Sequence, residues 1–570
     1  MALEWNDLLI GAPGERWRTT PTTRRVLVVV HNVTAATRLL DVVPLWAGDL
    51  RVQTAFTCIG SSAFTTGTTE FLAERGIAPI DWAQAVRGEF DLAVSASYGG
   101  PLHEVNAPLI VLPHGMGYNK FLESRRIPEN PGESRRIPEN PGESRRIPEN
   151  PVFGLSDAWL LHEGEVVPSV AVMSHREQLD RLSRYCPAAV PIALVAGDPC
   201  FDRMLASRPL RDSYRNRLGI HPDQRCVVVS STWGGPSLFG RHPSLVLDLA
   251  RQLPLDEYRV VVALHPNIWH GHSPWQVRMW LAECARAGVV VLPPEEGWRA
   301  GLVAADVTVG DHGSVTFYSA ALGTPVLLAT WPEETVDPAS PIAALLRTAP
   351  RLDPSVALKE QVNAAIDGHS PEKYAPITEL ATSEPGRSAA LLRAEIYTRL
   401  DLAEPATPAD SAAVPLPAFE PVGAGSQLVQ VQLTAQTAEV TRFPAAALDE
   451  PSSGGVLVAC ADEPDRRWLE LAEVLVHDDR YDDPLRWIRA SLSRLPGCLL
   501  AATRDRAGQW IIGGTDLPAV RLRGADDLGP VCAAVLHAWL CSGRKPHDLP
   551  DQLRIRLGSR EELVQLSTQD

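Results

Sequence analysis

A chain of 570 residues is too long for one hydrophobic core and predicts two to four domains. Hydrophobic residues make up 45% and charged residues 21%, the balance of folded domains, and no apolar run approaches the ~20 residues that span a bilayer. A net charge of −16 argues against a broad nucleic-acid surface and gives no attraction to an anionic membrane. The nine cysteines are scattered, with no CxxC pair and no zinc spacing, and read as reduced thiols of a cytosolic protein. The first twenty residues hold no basic region followed by an apolar block, so no signal peptide is expected and the expected location is cytoplasmic.

Taken in chain order, a β-branched run at 26–30 ends at His31-Asn32, and a helix is expected over 34–46. A second strand follows at 52–59, a helix around 70–75, and two short strands at 90–94 and 109–112. Strands apolar along their length and alternating with helices predict a parallel sheet covered on both faces, with ligands beyond the carboxyl ends of its strands. The loop after the strand at 109–112 reads PHGMGY. His114 in it suits a general base or a phosphate contact, with Gly115 and Gly117 letting a ligand approach the backbone. The plain alternative is a turn that happens to contain a histidine.

From Glu123 the chain reads ESRRIPENPG, and the decapeptide restarts at Glu133 and at Glu143 until Val152 breaks it. Two Pro per copy forbid a long helix, and nothing in a copy builds a core, so a solvated and partly extended loop is expected. Fully extended it reaches about 90 Å. Its arginine pairs suit an anionic substrate; a tandem expansion in a tolerant loop is the preferred reading. Beyond it, a helix is expected over 174–185 with Ser174 as its cap, and a strand over 192–195 that enters Gly197-Asp198-Pro199-Cys200-Phe201-Asp202.

A second alternating unit begins with a strand at 226–230, which enters the loop Ser231-Thr232-Trp233-Gly234-Gly235-Pro236. A helix at 244–252 and a strand at 258–264 lead to His265-Pro266. His265, His270 and His272 lack a helical i, i+4 spacing, so they are not read as a metal set and no metal is expected. Helices at 275–286 and 298–305 bracket a strand at 289–292. The stretch from Gly310 to Pro325, GDHGSVTFYSAALGTP, then reads as strand end, polar loop and short helix, with Ser314 as N-cap and Gly323 as C-cap. The free N–H groups of that helix and its dipole make a small anion site. Polar loops that follow three strands of one sheet, holding Ser231 and Thr232, then His265, then Asp311, His312, Gly313 and Ser314, are the layout of a nucleotide site.

An HG loop, GDPxxD, a Ser-Thr loop, a strand ending in HP, and DHGS with a helix and GTP occur in that order. This resembles the CDP-glycerol glycerophosphotransferase family, the teichoic acid polymerases, within the GT-B glycosyltransferase class. The resemblance covers roughly residues 26–400. It implies two Rossmann-like α/β domains facing across a cleft, with a nucleotide diphosphate held mainly by the second. It implies catalytic roles for His114 and His265 and phosphate contacts from 311–314 with Thr316. The chain departs from the family at Met116, where Thr is usual, and at His312-Gly313 inside the phosphate loop.

Helices near 356–366 and 387–400 are expected to pack back across both units. Residues 401–426 are rich in Pro and Ala and read as a linker. The remainder, 427–570, is expected to form a smaller α/β or α+β domain, with strands at 455–459, 498–502 and 510–512 and helices at 468–476, 484–495 and 530–540. The acidic cluster around His477-Asp478-Asp479 and Asp482-Asp483 reads as a solvated loop ahead of a metal site. The expected division is therefore 1–210, 211–400, 401–426 and 427–570. The expected function is transfer of a glycerophosphate or glycosyl group from a nucleotide-diphosphate donor to a hydroxyl acceptor, with no separate cofactor. A protein partner is open to the last domain. A catalytically silent scaffold that binds a nucleotide, and an epimerase acting on UDP-sugars, stay open as alternatives.

Overall fold

The computed structural model describes residues 19–20, 22–60, 67–121, 151–418, 423–434, 436–449, 454–515, 517–523 and 527–569. The decapeptide repeats, within 122–150, lie outside the described residues, apart from the Pro151 that closes the last copy.

Two parallel sheets carry most of the chain. The first has six strands: β1 (Arg24–Val30), β2 (Val52–Cys58), β3 (Leu92–Ser95), β4 (Leu109–Val111), β5 (Val170–Met173) and β6 (Ala193–Val195), in the order β2-β1-β3-β4-β5-β6. In β1 the valines at 26, 28 and 30 enter one apolar cluster, while Leu27 and Val29 enter another on the opposite face. That two-sided burial is why the run is apolar without alternation. Each such side chain gains about 1.5–3 kcal/mol from leaving water. The helix α1 (Val33–Val42) follows β1, capped by the Asn32 side chain, which accepts from Ala35 N at 2.9 Å.

The crossover to the second sheet runs through the GDPxxD motif. Asp198 caps α2 (Pro199–Ser207) by accepting from Cys200 N and Phe201 N at 2.9 and 3.1 Å, and it also accepts from the Tyr318 hydroxyl. The second sheet has five strands: β7 (Arg225–Ser231), β8 (Tyr258–Leu264), β9 (Val290–Val291), β10 (Val307–Gly310) and β11 (Val326–Leu328), in the order β9-β8-β7-β10-β11. Its helices include α3 (Pro266–His272), α4 (Trp298–Ala304), α5 (Ser314–Ala321) and α6 (Leu358–Asp367). The chain then returns: α7 (Ser388–Arg399) lays Leu392, Ile396 and Tyr397 into the core of the first sheet. Asp202 holds that return by accepting from Gly386 N and Ser388 N at 2.7 and 3.0 Å.

The last part, expected as a smaller α/β or α+β domain, is a closed barrel with helices. Nine strands close into a barrel: β12 (Gln427–Leu433), β13 (Thr437–Pro444), β14 (Val456–Cys460), β15 (Val474–Tyr481), β16 (Leu500–Asp505), β17 (Trp510–Gly513), β18 (Ala519–Arg523), β19 (Gln552–Leu557) and β20 (Arg560–Gln569). The helix α8 (Pro484–Arg494) packs outside, with Ile488 and Leu492 against Leu475, Ala501 and Ile511. The helix α9 (Gly529–Cys541) fills the interior. Its consecutive buried residues from Val531 to Leu536 cluster with alternate, inward-facing positions of all nine strands. A helix apolar all round has no solvent face, and closure of the sheet supplies the wall it needs. The helix expected over 468–476 is also corrected. It stops at Leu471, and Val474–Val476 begin β15, as β-branched residues favour.

Candidate functional site

A cavity of about 170 Å³ lies where the carboxyl ends of the two parallel sheets face each other. The first sheet contributes the loop after β4, with His114, and the start of α1, with Thr34, Thr37 and Arg38. The second contributes Ser231 and Thr232 after β7, His265 after β8, Glu295 after β9, and Gly313 and Ser314 after β10. Every polar loop singled out in the sequence of this sheet therefore reaches one hollow.

The two histidines are held in opposite tautomers. The Nδ1 of His114 lies 2.9 Å from the Ala96 carbonyl oxygen, which can only accept, so Nδ1 carries the proton and Nε2 carries a lone pair. The Nδ1 of His265 accepts from Asn267 N–H at 3.1 Å, so its proton sits on Nε2. His265 thereby caps α3, a helix that the sequence reading did not place; Pro266 in its first turn starts rather than breaks it. Burial lowers the pKa of His114 to about 4 against the Ala96 carbonyl, which raises it, with the Arg38 and Lys120 charges lowering it further. Burial likewise holds His265 well below its ordinary value, helped by Lys120, His114 and Arg38. Both rings are neutral at pH 7.

The anion loop is built differently from its expected form. Gly313 is the N-cap of α5 and Ser314 its first helical residue, so the Ser314 hydroxyl faces the cavity and is not spent on capping. Gly115 packs so closely that a Cβ there would stand 2.7 Å from Ser314 Oγ, which explains the glycine. Gly323 closes the helix at φ 87°, as expected of a glycine just past a helix end. Asp311 and Thr316 do not line the cavity. The Asp311 carboxylate accepts from the backbone N–H of Thr232, Leu238 and Gly313, each at 2.9 Å, and so ties the loop after β7 to the loop after β10. Thr316 Oγ1 accepts from Asp311 N at 3.1 Å. His312 is buried away from the cavity, and burial lowers its pKa to about 3. Ser231 Oγ donates to the Thr232 carbonyl and accepts from Phe239 N.

Two cationic residues of the site were missed in the sequence. Lys120 is half-buried and donates to Thr232 Oγ1 at 3.0 Å across the cleft, with no carboxylate within ion-pair distance among the described residues. Burial lowers its pKa and Asp311 opposes that. The available signal was its place six residues after His114 in the same loop. Arg38 donates to the His114 carbonyl at 3.2 Å and to Asp41 at 3.4 Å, and lies 5.2 Å from the Trp298 ring centroid. Asp41 also receives Arg299 at 2.7 Å and Arg203, so one buried carboxylate gathers three guanidinium groups from both sides of the cleft.

The site can bind an anion, remove a proton at His114 Nε2 and give a hydrogen bond from His265 Nε2. A second hollow of about 670 Å³ lies at one mouth of the barrel. The acidic cluster noted there is mostly paired: His477 meets the Tyr481 hydroxyl at 2.8 Å, Arg504 binds Asp478, Arg506 binds Asp482 at 2.7 Å, and Asp483 caps α8. Among the described residues no three His, Cys, Asp or Glu are placed to hold a metal. No described helix is long and apolar enough to cross a membrane.

No family model and no curated protein matches the chain. Solved structures with a similar course of the chain include the wall teichoic acid polymerase TagF, at 13% identity and a TM-score of 0.41 over 66% of this chain and 89% of that one. A putative UDP-N-acetylglucosamine 2-epimerase from Listeria monocytogenes is 12% identical with a TM-score of 0.40, over 67% of this chain and 96% of the other. Anabaena Alr3699/HepE in complex with UDP and glucose is 12% identical with a TM-score of 0.35, over 66% and 100%. These are likenesses of the backbone.

Proposed function

We propose that the protein is a GT-B-type transferase that moves a glycerophosphate or glycosyl group from a nucleotide-diphosphate donor to a hydroxyl acceptor. The observation that carries this reading is the pair of neutral histidines in opposite tautomers on either side of one cavity. Transfer needs a lone pair facing the acceptor hydroxyl and a proton facing the leaving phosphate oxygen. His114 Nε2 takes the acceptor proton as the acceptor oxygen bonds to the electrophilic phosphorus or carbon. The bond from that centre to the nucleotide phosphate oxygen breaks. The charge left on that oxygen meets His265 Nε2–H, Lys120 and the free N–H groups at the start of α5.

The nucleotide is held mainly by the second sheet, through Ser314, Gly313 and Thr232, and the acceptor enters over α1. Asp311, His312 and Thr316 act through the position of the loop. The test is nucleotide release from a panel of CDP-glycerol, CDP-ribitol and UDP- and GDP-sugars. Release from one donor, lost in His265→Ala and weakened in Ser314→Ala, is the expected result. Nucleotide binding with no release from any donor would replace the transferase by a silent nucleotide-binding scaffold.

A further inference from the structure

We infer that His31 is a positioning residue that fixes the working tautomer of His114 through the loop after β3. Its effect on turnover rests on the transferase reading above; its effect on the tautomer does not. β3 lies between β1 and β4 in the sheet. His31 follows β1 and His114 stands in the loop after β4, so the two histidines flank the loop after β3. That loop is buried over Ala96, Ser97 and Tyr98. Buried backbone carbonyls need donors, and the flanking histidines supply two. His31 Nε2 donates to the Gly99 carbonyl at 2.6 Å, and His114 Nδ1 donates to the Ala96 carbonyl at 2.9 Å.

The Ala96 oxygen is what chooses between the two nitrogens of His114. Phe153 packs against that ring with centroids 5.6 Å apart, which limits the ring plane without telling one nitrogen from the other. With the proton moved to Nε2, Nδ1 would turn a lone pair on the Ala96 oxygen, and Nε2 would lose the lone pair that takes the acceptor proton. The carbonyl must therefore keep its place. Ser95 and Ser97 bond to each other inside the loop at 2.8 and 3.2 Å, and the Tyr98 hydroxyl meets that of Tyr118 at 2.9 Å on the β4 side. On the β1 side His31 holds the loop. Ala96 and Gly99 are separated by Ser97 and Tyr98 alone, so a shift at one end reaches the other. The place calls for a neutral donor. His31 is 3% exposed, and burial lowers its pKa to about 4 against the Gly99 carbonyl, with His114 lowering it further. Uncharged at pH 7, it gives a hydrogen bond without setting a positive charge beside a ring that has to accept a proton.

The experiment compares the full natural chain with His31→Gln, His31→Leu and His31→Asn. The glutamine amide keeps an N–H near the place of Nε2, leucine has no donor, and the asparagine amide stops near the place of Nδ1. Nitrogen-15 NMR of histidine-labelled chains reads the tautomer of His114, whose signals are identified by their loss in His114→Gln. Turnover is read as nucleotide released from the donor that the natural chain uses. The expected result is the Nδ1–H tautomer alone in the natural chain and in His31→Gln, and a second tautomer in His31→Leu and His31→Asn. In those two, kcat falls about tenfold or more with the donor KM within about twofold, because the second sheet holds the donor, while His31→Gln stays within about threefold of the natural chain. Should His31→Leu not fold, His31→Asn carries the comparison. An unchanged Nδ1–H tautomer in the folded variants overturns the inference whatever the turnover, as does the Nε2–H tautomer in the natural chain. An equal loss in His31→Gln also overturns it, since the Gly99 bond would then not be what matters. If no donor is turned over, the transferase reading fails and the tautomers alone decide the inference.

Discussion

The cleft and the barrel mouth are hollows of similar origin that treat charge in opposite ways. Both sit at the carboxyl ends of parallel strands, those of the two open sheets in one case and of β14, β15 and β16 in the other. At the barrel mouth Arg442 pairs with Asp256, Arg504 with Asp478 and Asp527 with Arg560. In the cleft, His114, His265 and Lys120 are half-buried, each side chain with one hydrogen bond and no carboxylate partner within bonding distance among the described residues. A polar group left short of partners in a buried place costs of order 1–3 kcal/mol. That cost is offset when a ligand supplies the missing partner. Paired charge therefore marks where the molecule is fastened, and polar groups short of partners mark the candidate site.

The sharpest way to break this contrast is to remove the histidines. Ala at His114 or His265 should lower donor turnover by about 10²–10⁴-fold, measured as released nucleotide, with the unfolding midpoint little changed. Full turnover in both variants would remove the cleft from the chemistry. Next comes Asp41→Asn, which leaves Arg38, Arg203 and Arg299 without their shared carboxylate. A loss of about 3–5 kcal/mol is expected in denaturant unfolding, because an uncompensated buried charge is worse than none. A change under about 1 kcal/mol would show that the cluster is not a fastening.

Acid supplies a third test. Burial lowers His114 and His31 from 6.5 to about 4, so between those values the unfolded chain binds more protons than the folded one. Stability from these groups is then fully present above pH 6.5 and is lost as pH falls through that window, by up to about 3 kcal/mol for each. His31→Asn should flatten the dependence of the unfolding midpoint on pH between 6.5 and 4. The acid limb of turnover should fall near pH 4; a limb near 6.5 would place an exposed histidine in the role of base. The smallest effect belongs to the barrel mouth. Asp527 keeps 61% of its side chain exposed, so Asp527→Ala should cost no more than about 1 kcal/mol and leave turnover unchanged. A marked fall in turnover would mean that the two hollows communicate.

Much of the two open sheets was legible in the sequence. The β-branched runs of β1, β7 and β8 and the Gly at the end of α5 depend on local preference and on burial along a whole strand. β5 was not recognised, although Val170–Met173 is buried on both faces like its neighbours; four residues without a turn signal are too short to stand out. Ser174 was read as a cap, yet the helix starts at Glu177, and Ser174 bonds instead with the Gln178 side chain. Of the site residues, His114, Ser231, Thr232, His265, Gly313 and Ser314 come together in the cavity, while Asp311, His312 and Thr316 stand behind it. Loop order along a sheet edge is readable from sequence; which side chain in a loop faces outward is not.

By itself the sequence determined the alternation of strand and helix, the polar loops after β7, β8 and β10, and the apolar α9, because each follows from neighbours within a few turns of chain. The tertiary structure alone decided that Lys120 and Arg38 join the site, that a barrel closes around α9, and which nitrogen of each histidine holds the proton. Those outcomes depend on groups distant in sequence: Thr232 for Lys120, Ala96 for His114, and nine strands drawn from 143 positions for α9. His265 is the exception, since its tautomer is set by Asn267, two residues on, but only once α3 has formed.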